Sequence, residues 1–231
     1  MSTKDIDILQ KNKISIPSFA CESLTLGALL TVVGGFLDAY TFIGRGGVFA
    51  NAQTANIVLL GINTFKGEFK KSLIYLLPII AFILGVFAAE MIKKSSSLPF
   101  IPNWQRSILI LEIIILFIIG FIPNSVSNSI INITVSFVAS LQYCSFKKLG
   151  NSTYATTMCT GNLRSASLLA YTAFSKRDKE AAVKSIRYFA IIFAFICGVS
   201  IGGFLTLFTG VHAVWLVDIL LLIILILMDL N

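Results

Sequence analysis

The sequence predicts an all-α, polytopic helical membrane protein built from six transmembrane helices plus two short broken or re-entrant segments, arranged as two inverted three-span repeats. Three observations carry that prediction: an apolar composition, a set of long uncharged runs, and a motif that recurs in the two halves. Of the 231 residues, 56% are hydrophobic and only 13% are charged, with a mean hydropathy of +0.88. Soluble domains carry about 25% charged residues, so this chain has too little polar surface to cover a globule.

Spans come from runs long enough to cross a hydrocarbon layer, about 20 apolar residues each. They run from Leu24 to Gly44 (interrupted by Asp38), Ser72 to Ala89, Ser107 to Pro123 (interrupted by Glu112), Ser125 to Phe146, Tyr188 to Val211, and His212 to Met228 (interrupted by Asp218). Residues 1–23 form a cytoplasmic tail, and residues 24–229 a single membrane domain. The first span follows Lys4, Lys11 and Lys13 as a signal peptide would, but it lacks a small-residue cleavage site and is read as a retained helix.

Two further stretches are apolar in their tails and polar at their starts. Gly46 to Phe65 carries Asn51, Gln53, Thr54 and Asn56, and Leu149 to Phe174 carries Asn151, Thr156, Thr157, Thr160, Asn162 and Arg164. Irregular backbone at membrane depth is tolerated only where protein buries it or a wet cavity borders it, so these read as broken or re-entrant helices.

Charge sets the orientation. With the N-terminus inside, 14 of the 18 Lys and Arg residues fall in cytoplasmic segments, which places both termini in the cytoplasm. The net charge of +7 reflects these short clusters rather than one basic face, which argues against nucleic acid as a partner. Membrane lipid, a small solute and a second copy of the chain remain as partners compatible with the composition. Cys21, Cys144, Cys159 and Cys197 form no CxxC pair, and His212 is the sole histidine, so neither a metal site nor a cofactor is expected. No nucleophile-base arrangement points to an enzyme, and Gly44 to Gly47 reads as a helix-ending turn.

Overlaying residues 24–123 on 125–229 exposes the duplication. Residues 79–86 match residues 192–199 at six of eight positions; Thr54-Ala55-Asn56 falls on Thr160-Gly161-Asn162, Asp38 on Gln142, and Glu112 on Asp218. An odd number of spans per half inverts the second half. Secondary transporters are often built this way, with discontinuous helices meeting near the midplane.

The blocks Gly34 to Tyr40, Gly47-Val48-Phe49 and Thr54-Ala55-Asn56, followed by Leu141-Gln142 and Thr160 to Leu163, resemble the YoaK family of bacterial integral-membrane proteins. The resemblance runs from about Leu24 to Met228, with Thr-Ala-Asn here where the family usually has Thr-Gly-Asn in the first half. It implies a multi-pass protein of the bacterial inner membrane, and it brings no activity, substrate or site residues with it.

Candidate pathway residues are therefore chosen on chemistry. Asp38 is a carboxylate inside a span, an arrangement that usually marks a proton or cation site or a partnered structural group. Thr54, Asn56, Gln142, Thr160 and Asn162 supply uncharged donors and acceptors; Glu112 and Asp218 share a depth and are expected to cap a broken helix; Arg164 is expected to pair with one of them. The functional reading is a secondary transporter or facilitator of a small solute, and the alternative is a membrane scaffold in which these groups only satisfy each other.

Overall fold

The computed structural model describes residues 24–95, 104–146, 148–149, 152–153 and 159–229. The N-terminal tail with Cys21, and the polar residues Asn151, Thr156 and Thr157, lie outside the described residues. The helices are α1 (Leu24–Gly44), α2 (Gln53–Phe65), α3 (Phe69–Ser95), α4 (Trp104–Gly120), α5 (Asn128–Ser145), α6 (Cys159–Lys176), α7 (Lys179–Thr209) and α8 (Val214–Asp229), with a 3-10 turn Gly210–Ala213 between the last two. A two-residue antiparallel pairing, Lys148–Leu149 with Ser152–Thr153, is the remaining regular element among the described residues.

Three helical stretches are apolar and long enough to cross a bilayer: Leu24–Gly44, Phe69–Lys94 and Lys179–Met228. The third is 50 residues long, more than twice what one crossing needs, and it breaks at Gly210, whose φ of +60° ends α7. Pro78 sits inside α3 without ending it. α1 ends where Gly46 and Gly47 take φ of +91° and +80°, so the glycine stretch is the helix-ending turn expected from sequence.

Helices pack in pairs: α1 on α7, α3 on α5, α2 on α3, α6 on α7, and α4 on α8. The first two contacts are close because glycine permits it. A Cβ on Gly35 would run into Phe195 O, one on Gly198 into Val32 O, and one on Gly202 would lie 2.8 Å from Phe36 Cα. Gly85 of α3 meets Ser140 and Phe137 of α5 in the same manner. In lipid, where hydrophobic burial between helices drives little, this backbone-to-backbone approach supplies the packing energy.

Hydrogen bonds fix which helix ends lie together. Arg45, just beyond α1, donates to Ile122 O, Tyr40 donates to Val211 O, and His212 Nδ1 lies 2.9 Å from Gly120 O. The end of α1, the α4–α5 turn and the α7–α8 turn therefore share one end of the bundle. At the other end Gln105 Nε2 donates to Ser145 O, joining the start of α4 to the end of α5. The core runs between these ends through Leu30, Phe36, Tyr40, Leu116, Val217 and Leu221. Outward faces present Leu73, Phe87, Phe193, Leu207 and Phe208, the apolar surface that lipid tails cover.

An internal cavity between two interrupted segments

The chain leaves α1 at Gly44 and doubles back along it. Residues 46–52 are not helical, so their amide groups need other acceptors. α1 supplies them: Thr41 Oγ1 accepts from the Ala50 amide at 3.2 Å, and Asp38 Oδ1 accepts from the amides of Asn51 at 2.7 Å and Ala52 at 3.4 Å. Asn51 Nδ2 donates to Gly34 O, ten residues from either end of α1 and so roughly 15 Å from each. The segment thus enters halfway into the bundle before α2 starts and turns back.

Asn56, in the first turn of α2, closes this turn from the other side. Its Oδ1 accepts from the Phe49 amide, and its Nδ2 donates to Phe49 O and Gln53 Oε1. The side chain is fully buried and all of its hydrogen bonds are internal. Ala52, the residue preceding α2, offers no side-chain cap, and the carboxylate of Asp38 on α1 instead holds the two amides just ahead of the helix.

The starts of α2 and α6 border one cavity of about 370 Å³. Asn51 to Thr54 line one side, Cys159 to Gly161 the other, and Phe82, Tyr143 and Phe195 form aromatic walls. Among the described residues no charged side chain lines it. A Cβ on Gly161 would meet nothing within 4 Å, so this glycine opens onto empty space. Asp38 lies behind the lining and is near enough to act electrostatically on Cys159.

Not every candidate reaches the cavity. Thr54 and Thr160 line it, whereas Asn56 and Asn162 are buried behind it. Gln142 is fully buried, and neither atom of its amide has a hydrogen-bond partner among the described residues; its chain neighbour Tyr143 reaches the lining instead. Arg164 is solvent- or lipid-exposed on α6 and forms no ion pair with Glu112 or Asp218, because its position in the helix turns it away from the core.

Glu112 and Asp218 do not cap a broken helix. They lie on the paired helices α4 and α8, whose register is set by Trp215 Nε1 donating to Phe117 O and by His212 on Gly120 O. That antiparallel register puts Asp218 level with residue 114, two residues along α4 from Glu112. Both side chains are buried, and none of their four oxygens has a hydrogen-bond partner among the described residues.

Arg45 went unnoticed in the sequence, where it reads as an ordinary loop charge. It is completely buried, donating to Tyr40 Oη at 3.0 Å, Ile122 O at 2.9 Å and Asn124 Oδ1 at 3.5 Å, and its own carbonyl accepts from Asn132. It staples α1 to the α4–α5 turn. A local signal existed in Tyr40, five residues earlier and within reach of the guanidinium; the remote partners gave none.

Together these features define a helical transmembrane protein in which the starts of α2 and α6 border one cavity. The chain belongs to the family of proteins of unknown function DUF1275, whose model matches residues 26–227. It is similar to the UPF0700 transmembrane protein YoaK of Bacillus subtilis (strain 168), at 30% identity over 176 residues that cover 73% of this chain and 77% of that one. The family resemblance read from the motif blocks is thereby established. No solved structure matches the chain.

Proposed function

We propose that the protein is a secondary transporter or facilitator that passes a small solute through the cavity between its halves. The observation that carries this reading is the cavity itself, bordered by the first turns of two short helices, one from each half. Its lining supports an inverted repeat, because Thr54 and Thr160, like Phe82 and Phe195, are equivalent positions in the duplication. Helix pairing supports it too: exchanging α1–α4 with α5–α8 turns the α1–α7 contact into α5–α3, α2–α3 into α6–α7, and leaves α4–α8 unchanged. Two halves that can rock about such an axis give alternating access to a central site.

The shared helix ends support a reading with six spans and α2 and α6 re-entrant, and the charge distribution favours cytoplasmic termini in a bacterial inner membrane. A scaffold reading draws on Asn56, whose hydrogen bonds are all spent on the interrupted backbone.

Access separates the two. Cysteine placed at Thr54 or at Thr160, on a background lacking native thiols, should react with a membrane-impermeant thiol reagent from both faces of oriented vesicles. Reaction from neither face, or from one face only, would favour the scaffold.

A further inference from the structure

We propose that the cavity binds a small uncharged molecule built on an aromatic ring with a hydroxyl or N–H group, of the phenol or indole type, its ring against Phe195. This rests on the transport reading and names the solute class for it. The duplication locates the ring. Phe82 on α3 packs against Tyr143 on α5 with ring centroids 6.1 Å apart, and both line the cavity. Exchanging the halves turns that pair into Phe195 on α7 and the residue after Asp38 on α1, which is Ala39. Where the first pair has a tyrosine ring, the second has a methyl group. Phe195 accordingly lines the cavity with no ring contact of its own among the described residues. A solute ring supplies the missing partner, in the offset or edge-on contact that aromatic pairs favour.

The walls bring no charge. Residues 46–65, which supply Asn51 to Thr54, and residues 149–163, which supply Cys159 to Gly161, contain no Lys, Arg, His, Asp or Glu. The same holds for residues 72–89, 125–146 and 188–211, which supply Phe82, Tyr143 and Phe195. Asp38 is buried behind the lining, its Oδ1 bonded to the amides of Asn51 and Ala52. An ion entering the cavity would lose its water without touching a counter-charge, a cost that an uncharged molecule avoids.

Thr54 and Thr160 supply the polar contacts. They are exposed, equivalent in the two halves and both in the lining, and neither hydroxyl is tied by a hydrogen bond among the described residues. A hydroxyl both donates and accepts, so either threonine can hold the O–H or N–H of a phenol or an indole. Gln53 is not free in this way, since its amide is spent on Ala50 O and Asn56. Size agrees with the class. Roughly 150 Å³ is enough to hold benzene, so a cavity of about 370 Å³ takes one ring with its substituent or a second fused ring.

Cys159 is a partly exposed thiol in the lining and serves as reporter, while Cys197, also partly exposed but outside the lining, is the internal control. On the purified full chain in nanodiscs, alkylation of Cys159 by N-ethylmaleimide, followed by mass spectrometry, should slow about threefold in millimolar p-cresol or indole with Cys197 unaffected. Phenylacetate and phenethylamine, which carry the ring as ions at neutral pH, should leave both rates unchanged at equal concentration. Cyclohexanol, an uncharged hydroxyl without an aromatic ring, should protect far less than p-cresol. Phe195→Leu, which keeps apolar bulk and removes the ring, should weaken p-cresol protection about fivefold. Ala39→Tyr, which restores the ring missing from the second pair, should slow Cys159 with no solute present and leave it unresponsive to p-cresol.

Equal protection by either ion or by cyclohexanol, a parallel change at Cys197, no protection by p-cresol or indole, or full protection in Phe195→Leu would each overturn the proposal. An Ala39→Tyr variant that melts like the wild type and still responds to p-cresol would overturn it too; if that variant does not fold, Phe195→Leu decides alone. A Cys159 rate that follows the acyl chains of the disc and ignores added rings would assign the space to lipid tails and overturn it as well. The two-sided access of cysteines at positions 54 and 160 is read without any solute, so failure of the aromatic solute and failure of transport remain distinguishable.

Discussion

At the residue scale, two buried polar side chains near the interrupted segment do different kinds of work. Asn56 satisfies both the amide and the carbonyl of Phe49, so Asn56→Ala strips two buried backbone groups of their partners. Orphaning a buried donor or acceptor costs about 1 to 3 kcal/mol each, and the variant should lose roughly 2 to 6 kcal/mol, read as a lower unfolding temperature in detergent. Asp38→Asn behaves otherwise, because asparagine keeps an oxygen for the Asn51 amide; stability should hold within about 1 kcal/mol. If Asp38 couples transport to an ion gradient, the same variant accumulates no solute, since an amide cannot carry the charge. Accumulation at the wild-type level in Asp38→Asn would move the coupling role to the Glu112–Asp218 pair. The sequence made Asp38, Thr54 and Thr160 legible because polar groups inside apolar runs are conspicuous. It misplaced Arg164 because exposure depends on which way α6 faces its neighbours, and it hid Arg45 because Ile122 and Asn124 close over it from far along the chain.

At the element scale, glycine spacing decides which helices approach and which stay open. Gly198 was recognised through its repeat match with Gly85, and both turn out to press on a partner backbone, Val32 on α1 and Phe137 on α5. Gly161 belongs to a matching motif as well, yet it faces open space. Sequence gives the motif in each case, and only the packing separates a contact glycine from a cavity glycine. A methyl group should therefore have opposite consequences at the two sites. Gly198→Ala should drive α1 and α7 apart and lower stability by about 1 to 3 kcal/mol, in the range of overpacked cores. Gly161→Ala should leave the unfolding temperature within error while narrowing the cavity, and α6 gains helix propensity from the change. Melting curves of the two purified variants side by side check this; equal losses would mean that α6 is packed against something at Gly161.

At the scale of the whole molecule, duplication and charge were legible in the chain, and the way the halves interlock was not. Matching motifs placed Glu112 on Asp218, but that both lie at a similar level of the α4–α8 pair follows from a register set by two aromatic residues at the α7–α8 turn and the start of α8. The same interlocking sharpens the orientation. Arg45, Lys66, Lys70 and Lys71 belong to the end of the bundle that holds the α4–α5 and α7–α8 turns, against 14 Lys and Arg assigned to the other. Arg45 is sealed inside protein and contributes no exposed charge at that end, so the imbalance at the membrane surface is steeper than the sequence count. The turns around Asn124 and His212 should accordingly face outward, and the α6–α7 turn around Lys176 should face the cytoplasm. In intact cells a cysteine introduced at Ser125 should react with an impermeant maleimide, and one at Ser175 should react only after the membrane is opened. The reverse pattern would invert the orientation and set the protein against its own charge distribution. Reaction of both sites in intact cells would place the two turns on the same face and count against the proposed reading of α6 as re-entrant.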